Sequence, residues 1–176
     1  MPLVLIKEDG TGKVDANSYA SAVDGDAYFE GHLYATAWTA ATTGNKEKAL
    51  VFATRLIDSQ YQFNGVKAND DQALQWPRED CRDPDADGWL GGKVLPDVVP
   101  TLVVQATCEM ARELLILDRT TAPPGEGISA TWTSTDGTRY SKWDTRPIIC
   151  HVAQAMLAKY GALVKERAGA IRLTRV

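Results

Sequence analysis

Apolar positions along this chain fall into three helix-period runs separated by turn-rich segments. The clearest covers 46–61, where Ala49, Leu50, Ala53, Leu56, Ile57 and Tyr61 recur at helical spacing behind a charged first turn, Lys46-Glu47-Lys48. Thr43 or Asn45 is the expected cap, and Thr54, Arg55, Asp58 and Ser59 share the wetter side. Lys46 and Lys48 sit unfavourably at the positive end of the helix dipole. A second run, Val99, Leu102, Val103, Ala106, Met110, Leu114 and Leu117, predicts a helix of about five turns at the centre of the core. Asp97 is its expected cap, Pro100 is tolerated in its first turn, and Glu109, Arg112 and Glu113 take its other side. The third run is Ile148, Ile149, Val152, Ala155, Met156 and Tyr160, capped by Asp144 or Thr145, with Pro147 in the first turn and Gly161 as the stop.

Shorter signals fill the gaps. Residues 2–7 read as a strand ended by Asp9-Gly10 and Gly12. Ser21 with Asp24 three residues on resembles a capping box, opening a helix to about Gly31 with Ala22, Ala27, Tyr28 and Phe29 as apolar surface. Trp38 falls in the connection after it. Residues 119–128 have loop composition, then 128–133 and 138–143 alternate around Thr135-Asp136-Gly137 as a hairpin or extended arm. The tail, AIRLTRV, alternates like a terminal strand. The expected fold is mainly α: one small helical domain over 1–176 with extended arms, a β-hairpin and a terminal strand. Its long connection is 67–95 and its arm 119–145.

Composition narrows the classes. With 44% apolar and 24% charged residues in 176, the chain has the make-up of a soluble globular protein. A formal charge of −4 argues against a generic nucleic-acid binder, which carries a basic face. Cys81, Cys108 and Cys150 are odd in number and lack Cys-x-x-Cys spacing, so free thiols in a reducing compartment are expected. MPLVLIKEDG has no basic n-region, and no apolar stretch approaches the roughly 18 residues of a membrane span.

Candidate chemistry is sparse. Asp83, Asp85, Asp87 and Gly88 match the opening positions of an EF-hand calcium loop, but Val94 stands where the closing Glu belongs and Pro77, Pro84 and Pro96 surround the loop. A tight turn whose Asp side chains accept from backbone donors is the better reading, and no metal is expected. Glu79, Asp80 and Asp83 lack the opposition across a cleft that glycoside chemistry needs. Cys150 and His151, adjacent on a helix, diverge by roughly 100° and make no nucleophile–base pair. Two histidines without an HExxH motif give no zinc site, and Gly10-Thr11-Gly12 lacks the residues of a phosphate loop. No catalytic residue and no cofactor are expected. Lys159, Lys165, Arg167, Arg172 and Arg175 make the carboxyl end locally basic, either a solvated face or contacts for DNA phosphates or an acidic partner. Trp76, Arg78 and Trp89 in the connection, with Trp132, Tyr140 and Trp143 in the arm, are the expected anchors of an interface or of the fold itself.

Several blocks together resemble a known family. EDGTG at 8–12, ANSYAS at 16–21, DAYF at 26–29, KEKAL at 46–50, ATRLID at 53–58, YQFNG at 61–65 and, most distinctively, QALQWPR at 72–78 resemble the phage neck family labelled DnaT-like ssDNA-binding protein. The likeness is dense to about residue 118, weaker over 119–145 and loose beyond. The resemblance implies a head–tail connector of a tailed bacteriophage, a structural subunit and not an enzyme. Such a subunit would stack with neighbouring copies in a dodecameric ring, bind the portal protein and a downstream neck or tail protein, and let genomic duplex DNA pass through its channel. Its expected place is the virion neck, and the host cytoplasm during assembly, with no membrane partner. The family label also implies the alternative, a single-stranded DNA-binding replication accessory protein.

Overall fold

The run that begins at Val99 is the centre of the molecule. In the computed structural model, which describes residues 3–83, 85–86, 92–121, 126, 128–132, 137–140 and 146–164, it forms α4, Thr101–Ile116. Helices α1 (Ala22–Phe29), α2 (Thr36–Thr39), α3 (Thr43–Gln60) and α5 (His151–Leu157) all pack on it. Val103 and the unbroken run Ala106, Thr107, Cys108, Glu109, Met110 and Ala111 are buried, which a helix shows only when it is covered on several sides.

Two expectations about α4 are corrected. Its cap is Pro100, whose carbonyl accepts from the amides of Val103 and Val104, while Asp97 lies in the preceding turn. A residue before proline is pushed out of helical conformation, so Val99 cannot continue a helix begun at Asp97. Glu109 does not face outward: it is buried and accepts from the Tyr28 hydroxyl at 3.0 Å and Arg112 Nε at 3.2 Å. Partners on α1 and on its own helix make a carboxylate tolerable inside the core.

The capping box opens α1 as expected, with Ser21 Oγ accepting from the Asp24 amide and Asp24 Oδ2 accepting from the Ser21 amide. The buried residues of α1 are Gly25 and Phe29, because the Trp38 ring from α2 lies across Gly25. Trp38 itself is fully buried and donates from Nε1 to Asp26 Oδ1 at 2.8 Å. Thr42, one residue earlier than expected, caps α3. Thr54, expected on its wetter side, is fully buried: its hydroxyl donates to the Leu50 carbonyl and accepts from the Tyr19 amide.

Short strands complete the body. α3 runs straight into β1 (Tyr61–Phe63), which pairs antiparallel with β6 (Gly161–Leu163) in the register Tyr61↔Leu163. Gly161 therefore opens a strand, and it is glycine because a Cβ there would come 2.5 Å from the Gln62 carbonyl oxygen. β2 (Val66–Lys67) pairs with β3 (Arg78–Glu79) across the connection. The expected strand over 2–7 is a single bridge, Lys7 to Ser18. The arm is a hairpin of β4 (Ile128–Trp132) and β5 (Gly137–Tyr140), irregular between Ile128 and Ala130.

α5 starts later than its apolar pattern suggests, at His151 behind Cys150. Arg119 explains this. Its guanidinium donates to the carbonyls of Pro147 at 2.7 Å and Ile148 at 2.9 Å, and pairs with Glu113 at 3.0 Å. Those two carbonyls face Arg119 instead of a helical turn. Asp144, Thr145 and the alternating tail lie outside the described residues.

Candidate functional site

The segment QALQWPR folds back on itself and is bolted to three parts of the body. Gln72 begins the loop: its Oε1 accepts from the Asn69 amide, and its Nε2 donates to the carbonyls of Leu74 and Pro77 at 2.8 and 3.0 Å. One side chain thus ties both ends of a six-residue turn whose Trp76-Pro77 peptide is cis. Trp76 is 0% exposed, with Phe63 of β1 and Tyr160 after α5 both edge-on to its ring at 5.7 and 5.6 Å. Such contacts contribute about 0.5–1.5 kcal/mol each beyond the area they bury. The indole Nε1 has no partner among the described residues, which costs about 1–3 kcal/mol against that packing.

Arg78 closes the knot. Its Nε donates to the Asn64 carbonyl, Nη1 to the carbonyl and side-chain oxygen of Gln75, and Nη2 to the carbonyls of Gly65 and Phe63. A buried guanidinium satisfied by carbonyls keeps its charge without a carboxylate in contact, and burial lowers its pKa. Gly65 permits the approach: it sits at φ +74°, and a Cβ would come 2.1 Å from the Glu79 carbonyl oxygen.

Beneath the loop lies a hydrogen-bonded Tyr–Asp pair. Tyr19 is fully buried; its hydroxyl donates to Asp58 Oδ1 at 2.5 Å and accepts from the amides of Gln75 and Trp76. Asp58 Oδ2 accepts from the Gln75 amide as well. Burial pushes the Asp58 carboxyl up to about 6 and, with the Asp58 charge, holds the Tyr19 phenol well above its ordinary range. A second carboxylate knot lies upstream. Buried Glu8 accepts from the amides of Gly10, Gly12 and Lys13, so EDGTG is a loop wrapped around its own acid.

Of the Asp-rich segment, Asp83, Asp85 and Ala86 lie among the described residues. The Asp83 amide donates to the Gly92 carbonyl, the Val94 amide donates to the Cys81 carbonyl, and Asp83 Oδ1 accepts from the Asp85 amide. Asp85 pairs with Lys159 at 3.0 Å. No cluster of three potential metal ligands occurs among the described residues. Cys150 is buried and His151 exposed, so the two face apart. Burial raises all three thiols, Cys108 up to about 12, which keeps them protonated at neutral pH.

Of the expected anchors, Trp76 and Arg78 sit inside the fold as the two bolts of this knot. Trp132 stands opposite Gly137, and Tyr140 opposite Ile128, in the hairpin register. Asp87, Trp89, Trp143, Arg167, Arg172 and Arg175 lie outside the described residues. Sequence reasoning missed Tyr19, Asp58, Gln72 and Arg119. Tyr19 and Asp58 are 39 positions apart and meet only after α3 has packed.

These features define a helical body braced by backbone-directed side chains, carrying a strand-paired arm. Residues 3–135 match the model of the DnaT-like ssDNA binding protein family, and the chain belongs to that family. No curated protein and no solved structure matches it. No helix among the described residues is long and apolar enough to cross a membrane.

Proposed function

We propose that the chain is a structural subunit of a phage neck, a ring-forming adaptor between the portal and the next neck or tail component. The observation that carries this reading is the β4–β5 hairpin, which pairs with no further strand among the described residues. A two-stranded ribbon alone is marginal in water, and its open edges are templates for another chain. A braced body with such an arm suits a part that gains its order on docking with copies of itself. The acidic balance of the chain would let duplex DNA pass a channel without adhering. Imaging native particles tests the proposal: a ring of this protein below the portal supports it, and a location away from the neck defeats it.

A second reading, single-stranded DNA binding in replication, is favoured by the family description itself. Its contacts would come from the basic carboxyl end, Arg167, Arg172 and Arg175. Titration of a fluorescent oligonucleotide against salt separates the two. Tight binding that weakens steeply with salt supports this second reading, and no binding at low salt removes it.

A further inference from the structure

Most lysines and arginines among the described residues hold a carboxylate, and Lys67 and Arg78 donate to carbonyls instead. Lys48, Arg55 and Arg82 have neither kind of partner among those residues, and all three are exposed. Two of them stand on α3. Asn45, Lys48, Phe52, Arg55 and Ser59 recur three or four positions apart, so they form one stripe about 21 Å long at about 1.5 Å per residue. Every member of the stripe is exposed and none is acidic. The nearest acids along the helix, Glu47 and Asp58, are rotated roughly a quarter turn away, and Asp58 is engaged with Tyr19.

Phe52, 38% exposed, lies in the middle of this stripe. An aromatic ring is thereby set between two unpaired cations, one helical turn to either side, with the Asn45 amide and the Ser59 hydroxyl beyond them. Charge and ring together select the occupant. Unpaired cations suit phosphate oxygens. A ring between them suits a base that is free to stack, which a single strand offers and a closed duplex does not. Acidic side chains of a protein would satisfy Lys48 and Arg55 but would give Phe52 no flat face.

We infer that this face of α3 binds single-stranded nucleic acid, with Lys48 and Arg55 on phosphates to either side of a base stacked on Phe52. This rests on the single-stranded reading above and gives it a site on the helical body, apart from the basic carboxyl end. On a chain of net charge −4, two cations make a weak site that salt readily abolishes.

Fluorescence anisotropy of a labelled oligothymidylate of about 15 nucleotides, titrated with the full chain at low salt, tests it. The wild type is expected to bind. Lys48→Gln combined with Arg55→Gln is expected to lower the slope of log affinity against log salt by about 1.4, at about 0.7 for each phosphate contact. Phe52→Leu keeps apolar bulk without the ring and is expected to weaken binding about fivefold or more at an unchanged salt slope, with Phe52→Trp restoring it. Arg82→Gln removes an unpaired cation from another segment and is expected to leave the affinity unchanged. Equal losses from Arg82→Gln and Arg55→Gln, unchanged affinity in Phe52→Leu, or equally tight binding of a duplex of the same length would each overturn the inference. Binding that survives the stripe variants and falls only with Arg167→Gln, Arg172→Gln and Arg175→Gln places the contact at the carboxyl end, overturning the inference while the single-stranded reading stands. No binding by the wild type at low salt removes that reading and this site with it.

Discussion

Asp58→Asn is the most discriminating perturbation of the knot beneath Trp76. The wild-type carboxyl is displaced by burial from 3.8 to about 6. The folded chain therefore holds a proton between those values that the unfolded chain has released. Because the folded state binds more protons there, stability falls as pH rises from about 4 to about 6 and is flat above. The whole displacement corresponds to at most about 3 kcal/mol, and less as far as the carboxyl's exposed edge stays hydrated. Asparagine keeps the shape and an acceptor for the Tyr19 hydroxyl but cannot ionise. Its amide also turns a donor toward the Gln75 amide, a penalty of about 1–3 kcal/mol that does not vary with pH. Asp24 and Asp26 have lowered pKa values and support the fold above the ordinary carboxylate range, losing that support only at lower pH, so they fall outside the window. Urea unfolding of both proteins at closely spaced pH values between 4 and 7 reads the difference directly. The wild type should lose stability relative to the variant across the window. A difference between them that stays constant with pH would show that burial does not raise the Asp58 carboxyl.

Arg78→Ala strips donors from the carbonyls of Phe63, Asn64, Gly65 and Gln75 and should cost about 3–5 kcal/mol in urea unfolding, with Arg78→Lys recovering less than half because an ammonium cannot fork. Equal stability of the alanine variant would refute the bolt. Gly25→Ala places a methyl 2.3 Å from Trp38 Cζ2 and should cost about 1–3 kcal/mol, accompanied by a change in Trp38 fluorescence. Cys81, Cys108 and Cys150 should resist a thiol reagent in the native chain and react together in denaturant; rapid native labelling of any one would contradict its burial.

Much of the helical framework was legible because its apolar period is long and its caps are local. Ser21 and Asp24 announce α1 within four residues, and α4 shows its stripe over its whole length. What was illegible depended on contacts between distant segments. Glu109 and Thr54 look like surface residues from their own helices, and only Tyr28 from α1 and Tyr19 from the loop before it reveal them as buried. β1 is too short to alternate convincingly, and it exists because Gly161 brings β6 against it. QALQWPR was legible as the distinctive segment, but its role was not. A Trp-Pro-Arg sequence suits a surface anchor as well as a buried bolt, and the decision rests on carbonyls supplied by residues 63–65.

Arg119 gives the arm a property that its own strands do not. By gripping Pro147 and Ile148 from the end of α4, it fastens the departing and returning chains at one point. The clasp closes the base of the excursion between them. Lengthening the excursion changes only the entropy of a loop already closed at its base, about 0.6 kcal/mol for each doubling. A change in arm length made beyond the clasp is therefore expected to cost the helical body little. A protein built this way can meet partners of different reach without redesigning its core.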